Sequence, residues 1–262
     1  MKFLGIDIGG TNIDIVIFDR KFRHIATYST SKHLKNLRDI IKNFLQHDIK
    51  AIGIGAAIWI KRGKVVKAPN LPSLFKIYNE INGIPIVIDN DANCFALFAY
   101  HKFGYKNMLA ITIGTGIGCG IVIDGKIYRG NGIAGEIGHW YIKGRRKCKC
   151  NGYGHLECFF SGWALKEKYG KDVKEIMDDK EFIYSTKEFV LFCQAIANAT
   201  MLMNPSAIIF GGRIGINMNE KKLKDKIYSF MLPDFFPKIK ILKDKFAVAK
   251  GACLMAMHFA SP

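Results

Sequence analysis

Two stretches of this chain repeat one arrangement, an apolar run, a glycine turn and a second apolar run. The first is KFLGIDI, the turn GGTN, and IDIVIFD; the second is Leu109–Ile113, the turn GTGIG at 114–118, and Gly118–Ile123. Ile- and Val-rich runs joined by short glycine turns read as β-hairpins. A further apolar segment at His24–Tyr28 extends the first into a meander. The recurrence of the arrangement implies two similar lobes facing a cleft.

Around the hairpins, strands and helices alternate. Residues Leu34–Gln46 carry helical spacing (Leu34, Leu37, Ile41, Leu45), Ala51–Ala57 reads as a buried strand, Pro85–Ile88 as another, and Asp91–Tyr100 as a helix. Helices follow near Gly162–Lys168 and at Lys187–Met203, then the strand Ala207–Phe210 ending in Gly211-Gly212, and a closing helix near Ala249–Phe259. This is an α/β pattern. At 262 residues and 49% hydrophobic, the chain can bury a core in each of two lobes.

Composition excludes several classes. The N-terminus MKFLGIDIGG has a short apolar run broken by Asp7, unlike a signal peptide, and nothing approaches the ~18–20 apolar residues of a membrane span. A cytoplasmic protein with no membrane partner is expected. The net charge of +17 invites a nucleic-acid reading. The basic residues are spread along the chain, denser at Lys143–Lys149 and Lys221–Lys245, with no aromatic-interleaved stripe and no helix-turn-helix pattern. Anionic small substrates are the better expectation.

The turns carry the first chemistry. In Asp7-Ile8-Gly9-Gly10-Thr11-Asn12, the glycines admit close approach of backbone N–H groups to a phosphate, Thr11 adds a hydroxyl, and Asp7 can hold a hydrated Mg²⁺. Gly114, Thr115 and Gly116 offer a second cradle. Neither turn is a GxxxxGK[ST] loop or opens into a helix as a dinucleotide fingerprint does.

Taken in order, DIGGTN, the NDAN of Asn90–Asn93, GTGIG, AGEIGH at Ala134–His139, the Cys/His segment CKCNGYGHLEC, FGG at Phe210–Gly212 and the closing AKGACLMA resemble the ROK family of sugar kinases. That family includes glucokinases, fructokinases and N-acetylmannosamine kinases of the actin/hexokinase-like superfamily. The resemblance implies a two-lobed actin-like ATPase (ribonuclease H-like) fold, with mixed sheets, flanking helices and a nucleotide/sugar cleft. Residues 1–107, completed by a C-terminal helix over 248–262, would form one lobe, and 108–247, with a zinc-binding loop, the other. It implies ATP and Mg²⁺ at Asp7, Gly9, Gly10, Thr11, Asn12, Gly114, Thr115 and Gly116, with Gly211 and Gly212 near the adenosine. It implies a sugar held by Asn90, Glu136, His139 and Glu157, with Asn70 a further candidate. ROK repressors carry a DNA-binding domain before DIGGTN; here that motif begins at Asp7, and no nucleic-acid partner is expected.

The residues alone leave Asn90-Asp91 open between a helix cap and a catalytic pair. The resemblance makes Asp91 the general base for a sugar hydroxyl, with Asp89 a bystander. The seven cysteines of a reduced compartment favour metal over disulfides. His139, Cys148, Cys150 and His155 have spacing suited to a structural Zn²⁺. The family's usual third cysteine falls at His155, and Cys158 is the alternative ligand. One ring nitrogen of His139 on the metal would leave the other for a substrate hydroxyl.

The chain departs from the family after its Ala51–Ala57 strand, where GAAIWIKRG replaces a Pro-Gly turn and Trp59 is either a sugar-stacking or a core residue. Glucose, fructose, mannose and N-acetylmannosamine stay open as substrates, in that order, and a homodimer is among the expectations. The reading is an ATP-dependent kinase of a hexose or N-acetylhexosamine, glucokinase-like. The alternative is a non-catalytic sugar or nucleotide sensor on the same fold.

Overall fold

The computed structural model describes residues 1–45, 48–62, 64–71, 78–179 and 181–261, which divide into two compact units. The first comprises Met1–Phe103, Arg129–Ile133 and Phe246–Pro262, and the second Gly104–Tyr128 and Ala134–Lys245. The expected boundary lay between 107 and 108. The structure turns at Phe103/Gly104 and returns the short segment Arg129–Ile133 to the first unit.

The first unit is built on β1 (Lys2–Ile8), β2 (Asn12–Asp19), β3 (Lys21–Ser29), β4 (Ile49–Ala56), β7 (Glu80–Ile81) and β8 (Ile84–Asn90), with β5 (Trp59–Lys61) and β6 (Lys64–Lys67) forming a separate hairpin. The six-stranded sheet runs β3-β2-β1-β4-β8-β7. The β1–β2–β3 meander is antiparallel, whereas β4 lies parallel to both β1 and β8. One face of β1 presents Leu4, Ile6 and Ile8 to a core shared with Leu34, Leu37, Ile40 and Ile41. After the short α1 (Thr30–His33), Leu34 lies on a 3₁₀ turn at Leu34–Asn36, and the other three lie on α2 (Leu37–Lys42). The single helix expected over Leu34–Gln46 is therefore broken into short pieces, and its last residue, Gln46, lies outside the described residues.

The opposite face of the sheet takes the chain's last helix, Ala247–Ala260, at backbone contact. A Cβ on Gly5 would lie 2.0 Å from the Ala249 carbonyl oxygen, and one on Gly53 1.8 Å from that of Ala252. On the helix itself, a Cβ on Gly251 would lie 1.7 Å from the carbonyl oxygen of Cys94 in α3 (Asp91–Phe103). Only glycine permits such approach.

The second unit repeats the plan. Its sheet runs β11 (Lys126–Tyr128), β10 (Ile117–Ile123), β9 (Met108–Ile113), β12 (Ala207–Gly211) and β13 (Lys238–Ile241). Strands β11–β10–β9 form an antiparallel meander, and β12 lies parallel to β9 and β13. Helices α4 (Gly162–Tyr169), α5 (Val173–Asp178), α6 (Phe182–Ser185), α7 (Lys187–Met203), α8 (Gly212–Gly215) and α9 (Glu220–Tyr228) complete it. The long helix α7 is capped by Thr186, whose hydroxyl accepts the Phe189 N–H at 3.1 Å, and ends at Asn204 in the left-handed region. Its Phe192 and Ile196 pack with Ile111, Phe160 and Phe210. Among the described residues, no helix is long and apolar enough to cross a membrane.

Candidate functional site

In the first unit, the turn between β1 and β2 closes with the Gly9 N–H donating to the Asn12 carbonyl at 2.9 Å. Fully buried Thr30 holds it from behind. Its hydroxyl donates to the Gly9 carbonyl at 2.7 Å, and its N–H to the Thr11 carbonyl at 2.9 Å. Asp7, in register with Gly55 of β4, sits at the C-terminal end of β1.

Parallel β8 ends in Asp89-Asn90, and α3 starts at Asp91. The Ala92 N–H is shared between Asn90 Oδ1 at 2.8 Å and Asp91 Oδ1 at 2.9 Å. Asn90 Nδ2 donates to the Ile58 carbonyl at 2.9 Å, so its carboxamide caps the helix and ties the turn to the chain leading into β5. Burial pushes the Asp91 carboxyl up to about 6, against the lowering effect of backbone N–H groups of Ala92 and of Asp91 itself. The thiol of Cys94 is raised by burial and then by the negative charges of Asp89, Asp91 and Asp7. Asn70 Oδ1 is buried with no hydrogen-bond donor among the described residues. Trp59 is half-buried in β5, with Lys67 Nζ 5.4 Å from its ring centre.

In the second unit, the corresponding turn closes with the Gly114 N–H on the Gly116 carbonyl at 3.0 Å. The start of α4 backs it: the Gly162 N–H donates to the Gly114 carbonyl at 2.8 Å and the Trp163 N–H to that of Thr115 at 3.4 Å. A Cβ on Gly114 would meet nothing within 4 Å. Gly211 pairs with Thr112 of β9, and a Cβ on Gly212 would come within 2.7 Å of the Ile113 carbonyl oxygen, so the FGG segment abuts the strand that leads into the turn. Buried Glu157 accepts the Ile117 N–H through Oε2 at 3.4 Å and the Cys148 thiol through Oε1 at 3.4 Å.

The segment between β11 and α4 contains little regular structure. Single antiparallel bridges join Tyr141 to His155 and Lys147 to Tyr153. The ribbon reverses at Asn151, with φ 73°, where the Cys148 N–H meets the Gly152 carbonyl at 2.8 Å. This fold gathers His139, Cys148, Cys150 and His155, with ligand atoms all within 4.8 Å of one another. His139 turns Nδ1 toward Cys148 Sγ at 3.7 Å and Nε2 toward Glu136 Oε2 at 3.7 Å, while His155 Nδ1 lies 3.2 Å from Cys150 Sγ. Burial lowers the His155 pKa, which favours the neutral imidazole that ligates metal. Two sulfurs and two nitrogens at this separation fit a tetrahedral Zn²⁺ after a small contraction. Cys158 stands outside this set, with its thiol directed to the Arg146 and Lys147 carbonyls at 3.8 Å.

The family profile described as ROK family matches residues 3–235. The chain belongs to the ROK family. It is 30% identical over a 286-residue alignment to a glucokinase of Halalkalibacterium halodurans, covering 88% of this chain and 86% of that one. A glucokinase of Streptomyces coelicolor is 35% identical over 182 residues, 62% of this chain and 57% of the relative, so that match spans little more than half of the relative's length. The crystal structure of a ROK family glucokinase from Streptomyces griseus, in complex with glucose and AMPPNP, is 26% identical with a TM-score of 0.79, covering 98% of this chain and 100% of that one. The mixed α/β architecture is thus the actin-like ATPase fold of ROK sugar kinases.

Within this ROK fold, the first unit holds Asp7, Gly9, Gly10, Thr11, Asn12, Asn70, Asn90 and Asp91; the second holds the remaining candidates. The structure adds residues that sequence reasoning missed. Thr30 opens a helix after a strand, which signals a boundary but not a clasp on the glycine turn. Asp89, read as a bystander, is buried and receives several donors, among them Arg129, forty positions away.

Proposed function

We propose that this chain is an ATP-dependent kinase of a hexose or N-acetylhexosamine, with glucose the first substrate to test. The observation that carries the reading is the placement of Asp91 at the head of α3 in the family's Asn-Asp pair, where burial pushes its carboxyl up to about 6. A base with that pKa is ionised near pH 7 yet basic enough to take a hydroxyl proton in the transition state.

The mechanism follows from the donor set. Asp91 accepts the proton of one sugar hydroxyl as its oxygen bonds to the γ-phosphorus; the bond from phosphorus to the β–γ bridging oxygen breaks, and ADP leaves. Asp91 then releases the proton to solvent. Glu136, His139 and Glu157, with Asn90 and Asn70, are assigned to the sugar. Glu136 and the Nε2 side of His139 face one another at 3.7 Å and can hold adjacent hydroxyls. Glu157 has a second duty, bracing Ile117 directly after the glycine turn. The two glycine turns, with Gly9, Gly10, Thr11, Asn12, Gly114, Thr115 and Gly116, are assigned to the phosphates, and Gly211 and Gly212 to the nucleoside side.

Asp7 suits a hydrated Mg²⁺, which when bound supplies charge neutralisation on the phosphates. His139, Cys148, Cys150 and His155 suit a structural Zn²⁺, which when bound cross-links the ribbon. Fixing His139 at Nδ1 leaves its Nε2 as donor or acceptor toward the sugar.

The test is a coupled assay of the purified protein with ATP and Mg²⁺ across glucose, fructose, mannose, N-acetylglucosamine and N-acetylmannosamine. Turnover of at least one is expected. Calorimetric binding of a sugar with no turnover of any would favour the sensor reading instead.

A further inference from the structure

Asp89 lies on β8, only 5% exposed, two residues before Asp91. A buried carboxylate is tolerated only where donors and positive charge compensate it. Here Oδ1 accepts the Asn90 backbone N–H at 2.7 Å and Asn93 Nδ2 at 2.8 Å. Oδ2 accepts Arg129 Nε at 2.8 Å and Nη2 at 2.5 Å. Two of these donors, Asn90 and Asn93, flank Asp91 in sequence.

Arg129 belongs to the short segment that the chain returns to the first unit. That segment is seated firmly. The Gly132 N–H donates to the Arg129 carbonyl at 2.7 Å, and Gly132, with φ 111°, lies so close to β5 that a Cβ would come 1.8 Å from the Ile60 carbonyl oxygen. The chain just before β5 is in turn held by Asn90 Nδ2 on the Ile58 carbonyl. The contacts therefore close a ring, from Asp89 to Arg129, to the Gly132 turn, to Ile58–Ile60, and back to Asn90. Asp91 directly follows the Asp89-Asn90 end of this ring.

We propose that Asp89 and Arg129 are a positioning pair that fixes the strand-to-helix turn from which the Asp91 carboxylate acts. The inference rests on the reading of Asp91 as general base. Neither residue touches substrate in this account; both act through the backbone placement of Asp91. Displacing a catalytic group by about 1 Å reduces turnover by about 10²-fold. Loss of the pair should therefore reduce kcat far more than sugar affinity, because Asn90 is the one assigned sugar ligand on this turn, and Glu136, His139, Glu157 and Asn70 lie elsewhere.

The experiment compares Arg129→Gln, Arg129→Lys, Asp89→Asn and Asp91→Asn, with kcat, glucose Kd by calorimetry and thermal melting for each. Arg129→Gln and Asp89→Asn should lose roughly 10–100-fold in kcat with glucose Kd changed less than about threefold. Arg129→Lys, which keeps a charge but not the two-pronged contact, should recover part of the loss. A stability role alone would lower the melting temperature and leave kcat at wild-type level below it. Wild-type kcat in a folded Arg129→Gln or Asp89→Asn protein overturns the proposal; if those variants fail to fold, wild-type kcat in Arg129→Lys does so. Should Asp91→Asn turn over as fast as wild type, the base reading falls and the positioning role with it. An inactive Asp91→Asn beside fully active Arg129 and Asp89 variants overturns the positioning role alone.

Discussion

The glycine turn after β1 and the glycine turn after β9 occupy the same place in sheets of the same plan, yet they are held in different ways. In each sheet an antiparallel meander is followed by two parallel strands. In the first unit the turn is clasped by Thr30, a buried hydroxyl, and the sheet behind it is locked to the last helix by glycines at backbone contact. In the second, the turn is backed by α4 and by Glu157, which ends a ribbon with almost no regular structure and four gathered metal-ligand side chains. One turn is held by close packing, the other by a segment that has little core of its own: Tyr141 and Tyr153 are largely exposed. The difference teaches where a cross-link is needed. A ribbon with so little regular structure needs other means of fixing, and the proposed metal would supply them through a few side chains.

The largest effect is expected in the packed unit. Asp91→Asn keeps size and hydrogen-bonding reach but cannot accept a proton, so kcat should fall by ~10²–10⁴ with glucose binding retained. Rapid kinetics beside calorimetry would check it; an equal loss in Kd would mean that Asp91 holds the sugar rather than the proton.

Next comes the cross-linked unit. Cys148→Ser or Cys150→Ser should abolish the zinc, expected at about one per chain in the wild type. Glucose affinity should weaken roughly 10–100-fold. Amide exchange after chelation would sharpen the comparison, since protection should vanish over 139–158 and persist in β1 and β4. Uniform loss in both units would break it.

A smaller effect separates phosphate binding from fold. Because a Cβ on Gly114 meets no neighbour, Gly114→Ala should leave the melting temperature unchanged within about a degree. The KM for ATP should nevertheless rise roughly tenfold, because the added methyl holds a phosphate off the turn's backbone and so weakens one hydrogen bond to a charged group. An unchanged KM would remove this turn from the phosphate site.

Much of this was legible in the sequence because the signals are local. The hairpins, the 17-residue helix Lys187–Met203 and the closing helix follow from apolar spacing over a few turns. The metal-ligand set also lies within one short segment. The helices α5, α6 and α9 escaped because each buries few residues: α9 hides only Leu223 and Ile227 among its lysines. The hairpin β5–β6 and the edge strands β11 and β13 are short, and alternate too briefly to register. The Asp89–Arg129 contact and the Thr30 clasp escaped for another reason. They join residues 40 and 21 positions apart, and no local pattern encodes such a pairing.

The smallest expected effect is on stability, and it tests whether the packed unit bears a cost for its catalytic group. Burial raises the Asp91 carboxyl from 3.8 to about 6, so the folded protein binds that proton more tightly than the unfolded chain. Stability from this group is therefore greatest at acid pH and declines as pH rises from about 4 through 6. At pH 8 the ionised form should cost about 1–3 kcal/mol. Asparagine carries no charge to desolvate, so Asp91→Asn should melt several degrees above wild type at pH 8. That advantage should shrink toward zero near pH 4, where the wild-type carboxyl is largely protonated when folded. The same ionisation makes wild-type kcat/KM fall as pH drops through about 6, because a protonated Asp91 cannot serve as base. A melting difference that stays constant with pH would place Asp91 in water rather than in a desolvated turn, and the acid limb of the rate profile would then need another residue.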